Sequence, residues 1–286
     1  MKTQLFLTVL LRRYAMLVGL ISLVGMSAAV NAAGSGSFFD TEEGINIVGL
    51  GVGQVPDYQG SEDYTTGIAP FGRYYFSGNR YIHLLGPQLS LNVLDDEVWQ
   101  FGPMLMYRFG RDSDVDDDVV RQMREIDDAV EAGVFVAANY RLNSADPRER
   151  IILSADLLAD MSDTHDGWIS TFGVKYWRPI TRTMVMHIGG GFSYASDDYE
   201  QTYFGVTGSN IALFPSLSGN PYNADGGIHD IRATAGLLMH LSPNWHLGAG
   251  VRYQGLLGDA EDSPVVAERG DSNQWIFGLG IGYVWQ

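Results

Sequence analysis

Large apolar and small or polar residues alternate one by one along the C-terminal third of the chain. In Asn273–Trp285, Trp275, Phe277, Leu279, Ile281, Tyr283 and Trp285 fall on one face, and Gly278, Gly280 and Gly282 on the other. Segment 245–254 repeats the device, with Trp245, Leu247, Ala249, Val251 and Tyr253 opposite His246, Gly248, Gly250, Arg252 and Gln254. Segment 231–241 does so again, with Ile231, Ala233, Ala235, Leu237, Met239 and Leu241 opposite Arg232, Thr234, Gly236, Leu238 and His240. A period of two marks strands with unlike faces. Aromatic residues stand near the strand ends and aliphatic residues in the middle. That is the profile of a lipid-facing band between aromatic girdles, whereas a soluble sandwich would interlock its apolar face with a second sheet.

The same reading predicts strands at about 44–53, 67–76, 98–110, 129–142, 150–161, 167–178 and 183–195. Segment 80–94 is strand-like but interrupted by Gly86-Pro87. Proline cannot donate to a ladder, so one continuous central strand is disfavoured there. Split at that point, the count is twelve, even as single-chain bacterial barrels require. Ten strands with a peripheral segment is the alternative. The fold class expected is therefore all-β, a transmembrane antiparallel up-and-down β-barrel. Short connections at 179–182 and 242–244 alternate with long ones at 196–227 and 255–272. In such barrels short turns face the periplasm and long loops face outward.

The first residues bear on destination. Lys2, Arg12 and Arg13 precede the apolar run 14–26, and Val30-Asn31-Ala32 offers small residues at −3 and −1 of a cleavage site. This order is that of a secretory signal, and thirteen apolar residues fall short of a membrane span. The expected organisation is a cleaved signal over 1–32 and one barrel domain over 33–286. Losing those three cations takes the formal net charge from −16 to −19. Such acidity argues against nucleic acid and against a basic patch for anionic lipid. The chain has no cysteine, which removes disulfides and thiol chemistry.

Candidate chemistry is sparse. Asp114, Asp116, Asp118 and Glu125 match positions 1, 3, 5 and 12 of a calcium loop, but Val119 stands where the turn needs glycine. The run 112–118 reads as a solvated acidic loop, and no metal or cofactor is expected. Val119, Val120, Met123, Ile126 and Val130 have helical spacing, which predicts a short helix in a loop folded over or into the mouth. His187, Ser193, Asp156, Asp160, His240 and His246 fall on inward faces without forming a recognised catalytic motif, so no enzyme is expected. Glu131, Arg141, Asp156, Lys175, Asp230 and Arg232 also face inward and carry both signs, which predicts pairs filling a narrow interior. In the loop 196–227, Tyr199, Tyr203, Phe204 and Tyr222 are contact candidates for a surface partner, or pack the loop on itself.

Several segments together resemble the MltA-interacting protein family, MipA/OmpV. They are GVGQVPDYQGSEDY (51–64), GPMLMYRFGRDSDVDD (102–117), YFGV (203–206), SGNPYNADGGIHDI (218–231), EDSPVV (261–266) and GLGIGYVW (278–285). The resemblance runs from about Ile45 to the C-terminus. It implies an outer-membrane protein, and a non-enzymatic scaffold linking a murein-cleaving lytic transglycosylase to a murein synthase. It brings no catalytic residues. One departure is that Gln286 follows Trp285, so the terminal aromatic is penultimate. A small-solute channel, suggested by the glycine-rich inward faces, and an adhesin, suggested by the acidic outer loops, are the competing functions.

Overall fold

Glycine opposite aromatic is the unit from which the wall is built. The computed structural model describes residues 44–285, and the expected signal peptide lies outside them. Twelve antiparallel strands close into one up-and-down barrel. They are β1 (Asn46–Pro56), β2 (Tyr64–Ser77), β3 (Arg80–Leu85), β4 (Gln88–Asn92), β5 (Trp99–Arg108), β6 (Ala129–Arg141), β7 (Arg150–Asp160), β8 (Trp168–Pro179), β9 (Met184–Ala195), β10 (Gly227–His240), β11 (Trp245–Leu256) and β12 (Asn273–Trp285). β12 closes the ring on β1, pairing Gly49 with Gly282, Gly51 with Gly280 and Gly53 with Gly278. No edge in the ring is left without a neighbour, which suits a wall in lipid, where water cannot satisfy backbone groups.

The outward residues are those the alternation selects. Val48, Leu50, Val52, Leu157, Ile188, Leu279 and Ile281 are exposed in mid-strand. Aromatic girdles flank them. Trp99, Tyr140, Trp245 and Tyr283 lie toward the short-turn end, and Tyr64, Tyr107, Trp168 and Tyr194 toward the long-loop end. Neighbouring girdle rings pack on each other, Trp245 with Tyr283 at 5.2 Å and Trp168 with Tyr194 at 5.8 Å.

Gly86-Pro87 turns the chain rather than breaking a strand. Gly86 adopts φ 53°, which a two-residue hairpin turn needs and other residues resist. β3 and β4 pair through Leu85 and Gln88 on either side of it. β10 extends further than the alternation suggested, beginning at Gly227.

One placement differs from expectation. The helically spaced segment 115–130 holds a single 3-10 turn, Val120–Gln122. The α-helices lie in the other two long loops: α1 (Asp197–Phe204), α2 (Asp259–Asp262) and α3 (Pro264–Ala267). Asp117 accepts the N–H groups of Val119 and Val120 and fixes a tight turn there. Arg111 and Ile126 then pair as an isolated bridge, which pulls the segment back on itself before a second helical turn can form. Among the described residues no helix is long and apolar enough to cross a membrane.

Candidate functional site

Both ends of the lumen are filled, by different means. At the short-turn end the wall's own side chains meet. Ile47, Phe71, Leu238 and Val284 form a buried apolar cluster, with Leu85 against it. Glycines on neighbouring strands make room for them. A Cβ on Gly49 would stand 2.2 Å from the Phe71 ring, and one on Gly282 would stand 2.7 Å from Ile47. Above them His187 packs on Trp177, 4.5 Å between centroids, over the bare surface of Gly236.

At the long-loop end five connections interlock. Val206 and Tyr222 bridge within the loop that carries α1. Ser263 Oγ donates to the Phe204 carbonyl at 2.6 Å, and the Tyr222 hydroxyl donates to the Asp259 carbonyl at 2.8 Å. Arg269 reaches Asp117 at 2.6 Å. The Asp116 N–H donates to Asp57 at 2.9 Å, and Ser61 pairs with Gly270. Tyr58, Val115, Val120, Met123, Val206, Phe214 and Val265 form the apolar heart of this lid. Val115, Val120, Met123 and Ile126 are thus buried against neighbouring loops without needing a helix, Val119 is half-buried, and Val130 is exposed on the outer face of β6.

Two buried polar chains tie the lid to the wall. In the first, Arg108 of β5 makes a two-point ion pair with Glu131 of β6, at 2.7 and 2.8 Å. His165 Nε2 joins the same carboxylate at 3.0 Å. Its Nδ1 accepts the Gly167 N–H at 3.1 Å, which assigns the proton to Nε2. Tyr199 lies under the Arg108 guanidinium at 5.1 Å and edge-on to His165. In the second, the Tyr199 hydroxyl donates to Gln59 Oε1, Gln59 Nε2 approaches His229 Nε2 at 2.6 Å, and His229 Nδ1 faces Glu200 at 2.7 Å. Glu200 sits on α1, whose N-terminus is capped by Ser196 and whose first turn carries Asp197 and Asp198, which suit the helix dipole.

Burial sets the ionisation of the lid. It pushes the Tyr199 and Tyr203 hydroxyls well above the usual phenol range. It pulls the Arg111 guanidinium, which lies over Tyr58, down to about 10. Burial also raises the Asp57 carboxyl against the opposing Asp116 N–H. It works the same way on Asp117, but there Arg269 and the N–H groups of Val120 and Val119 outweigh it and hold the carboxyl low.

The other inward candidates meet at most in pairs and form no nucleophile–base set. His187 and Ser193 are six positions apart on β9, roughly 20 Å along the strand. Ser193 meets Thr171, and His240 meets His246 at 3.2 Å. The Glu200–His229 pair has the form of an oriented base, but Gln59 occupies its other nitrogen and the ring is fully buried. No reacting atom can approach it as it stands. Among the expected charge pairs, Glu131 is matched across strands by Arg108, and Asp230 along its own strand by Arg232 at 2.8 Å. Lys175 lies 5.8 Å over the Trp177 ring, and Arg141 sits at the rim with Glu97. In the acidic run, Asp117 is turned inward onto Arg269 and Asp112 accepts the Asp114 N–H. Among the described residues no group of three or more His, Asp or Glu is arranged to hold a metal. Tyr199 and Phe204 are wholly buried and Tyr203 nearly so, packing the loop into the barrel instead of presenting it to a partner.

Gln59, His165, Glu200 and His229 did not stand out in the sequence. Their side-chain partners are 29 to 170 positions away, and no local pattern marks them.

The family described as MltA-interacting protein MipA matches residues 48–285. The outer membrane protein Omp26La of Vibrio anguillarum is 24% identical over 238 residues, covering 74% of this chain and 89% of that protein. OmpV of Vibrio cholerae serotype O1 is 24% identical over 242 residues, covering 73% and 91%. Among solved structures, the COG4313 outer membrane channel from Pseudomonas putida F1 overlaps 88% of this chain and all of that one, at 12% identity and TM-score 0.43. The relatives' names and the closed barrel agree on the outer membrane as the location.

Proposed function

The chain belongs to the MltA-interacting protein MipA family, and on that premise we propose that it is a non-enzymatic scaffold, holding a murein hydrolase and a murein synthase at the inner face of the outer membrane. A cleaved signal over residues 1–32 and one barrel domain over 33–286 complete this reading. The observation that carries it is the filled lumen. A barrel stopped by Phe71 and its neighbours below and by interlocked loops above has its ends, not its interior, to offer. Two features support the periplasmic end as the working one. Its turns are tied into one surface, because Arg148 grips Asp146 and also donates to the carbonyls of Thr181 and Arg182 in the next turn. Beside it Arg141 reaches Glu97 of the β4–β5 turn, which carries Asp95, Asp96 and Glu97 into the open.

The direct test is retention of a lytic transglycosylase and a murein synthase by the immobilised, detergent-solubilised barrel. Retention that is lost on Asp95→Lys with Glu97→Lys, but kept when outer loops are altered, supports the scaffold. Failure to retain either enzyme at high concentration removes it.

A further inference from the structure

The ring closes strand to strand, but not to one height. β3 and β4 hold six and five residues, against fourteen in β2 and ten in β5 beside them. Pairing of β2 with β3 begins only where Phe71 meets Leu85. Above that point, toward the long loops, residues 64–69 pair with β1 alone, over roughly 20 Å of strand. The register shows which backbone groups are left over. Pro70 gives its carbonyl to the Gly86 N–H at 2.8 Å, so by the two-residue period Ile68 and Thr66 turn their N–H and carbonyl groups the same way. Among the described residues no backbone group meets them. Pro70 has no N–H to leave unpaired, which is the condition under which a strand accepts proline. A wall in lipid tolerates unpaired backbone only where water or protein reaches it. This side of β2 is therefore an opening in the wall, at the height of the outer leaflet.

The opening has a frame on every side. Its sill is the Gly86-Pro87 turn, tied to β2 by the Gly86 N–H and to β5 by the Tyr107 N–H, which reaches the Pro87 carbonyl at 3.1 Å. There β2 and β5 stand three strand spacings apart, roughly 14 Å. The lid supplies the lintel, where the Asp116 N–H meets Asp57 and Arg111 lies 5.7 Å over the Tyr58 ring. Arg111 follows β5 and Tyr58 leads into β2, so the guanidinium spans the lintel from one flank to the other. The outer face of the frame is apolar. Ile68, Pro70 and Tyr107 are exposed there, and Phe109 packs edge-on to Tyr107 at 5.2 Å. The inner side is polar and incompletely matched. Arg111 is 7% exposed; its Nη1 donates to the Tyr203 carbonyl at 3.3 Å, and its Nε has no partner among the described residues. The groups that act on its charge are Tyr58 and Tyr203, with no carboxylate among them. Gln88, beside the sill, is also buried, with its Oε1 unmatched. A buried cation without a counter-charge is costly.

An apolar outer frame that ends on a buried, unmatched guanidinium is the complement of an amphiphile with one negative charge. We propose that this lateral window is a binding site for a long-chain fatty acid taken from the outer leaflet, its chain lying against Ile68, Pro70, Tyr107 and Phe109 and its carboxylate meeting Arg111. The planar guanidinium matches the two oxygens of a carboxylate. One cation behind the wall does not suit the bulky, multiply charged head of a saccharide lipid. The site opens sideways and leaves both axial plugs in place, so it stands independently of the scaffold reading.

The test labels the full barrel in maltoside micelles with hexadecanoate carrying a photoreactive diazirine in mid-chain, and maps the adducts by mass spectrometry. The expected result is saturable labelling concentrated in segments 64–76 and 101–111 and displaced by unlabelled hexadecanoate. The methyl ester of the same probe keeps the chain and loses the charge, and should half-saturate at about tenfold higher concentration. Arg111→Gln should shift the acid by a similar factor, while Arg124→Gln, which alters an exposed cation of the same loop, keeps the wild-type value. Should Arg111→Gln fail to fold, the comparison of acid with ester on the unaltered barrel decides alone. Labelling spread evenly around the wall would mean ordinary contact with lipid and would overturn the proposal. So would an ester that binds as well as the acid, or an Arg111→Gln barrel that labels like the wild type.

Discussion

The two ends of this barrel are closed by opposite strategies. The extracellular end is stopped by added chain: five connections fold inward and are fixed by the buried Arg108–Glu131 ion pair with His165 on it, by the Glu200–His229 contact, and by an aromatic under-layer. The periplasmic end is stopped by subtraction. Glycines at 49, 236 and 282 remove side chains so that Phe71, Ile47 and His187 can cross the bore. The first plug rests on a few fully desolvated charges and fails if one partner is lost. The second rests on shape and fails only by losing volume. The end with elaborate loops is also the end whose polar groups are most completely hidden. The plain end leaves its charges in solvent, where a partner can reach them.

The contrast breaks most sharply at Glu131. Glu131→Gln leaves Arg108 as a buried cation with its ion pair gone, which costs about 3–5 kcal/mol. Urea unfolding in micelles should report that loss, and hydrogen exchange should show residues 161–167 released with it. The matching change at the other end, Glu97→Gln, removes an exposed partner of Arg141 and should leave stability unchanged within error. Next comes Phe71→Ala, which opens a cavity in the shape-based plug at about 3 kcal/mol. The same unfolding assay checks it, and exchange in the outer loops should stay at wild-type levels. Smaller still is Ser263→Ala. It removes the Phe204 tie and the cap of α3, for about 1–2 kcal/mol seen as faster exchange in 259–267.

The smallest effect is a pH response confined to the lid. The Asp117 carboxyl is held below its ordinary range, so its contribution is present above the unfolded value and is lost as pH falls through the folded one. The Asp57 carboxyl is raised, so its contribution is present in acid and is lost as pH rises through its folded value. At neutral pH Asp117→Asn should therefore loosen the lid and Asp57→Asn should tighten it. Both changes should be readable as opposite shifts in loop exchange and absent from the periplasmic turns.

The wall was legible because its pattern is local. Glycines at 278, 280 and 282 against Trp275 to Trp285 can mark a lipid-facing strand only if each residue knows its neighbour two positions away. Gly86-Pro87 was legible for the same reason, since a positive φ followed by proline is a turn wherever it occurs. The lid was not. Val120, Met123 and Ile126 are buried and Val119 half-buried, as their spacing suggests, but the spacing of apolar residues in a loop reports only that they are covered. Asp117 and the Arg111–Ile126 bridge, not periodicity, fix the backbone there. The polar chains were the least legible of all. Glu131 and Arg108 could be placed on inward faces, but His165 and the Glu200–His229–Gln59 chain exist only because separate loops descend into one mouth.

A planar-bilayer recording tests the doubly closed barrel most directly. The unaltered protein should give no large, stable conductance, and a barrel carrying Phe71→Ala together with deletion of 197–225 should give discrete steps. Large, long-lived open steps from the unaltered barrel would contradict the closure, and with it the case for a post that works at its ends.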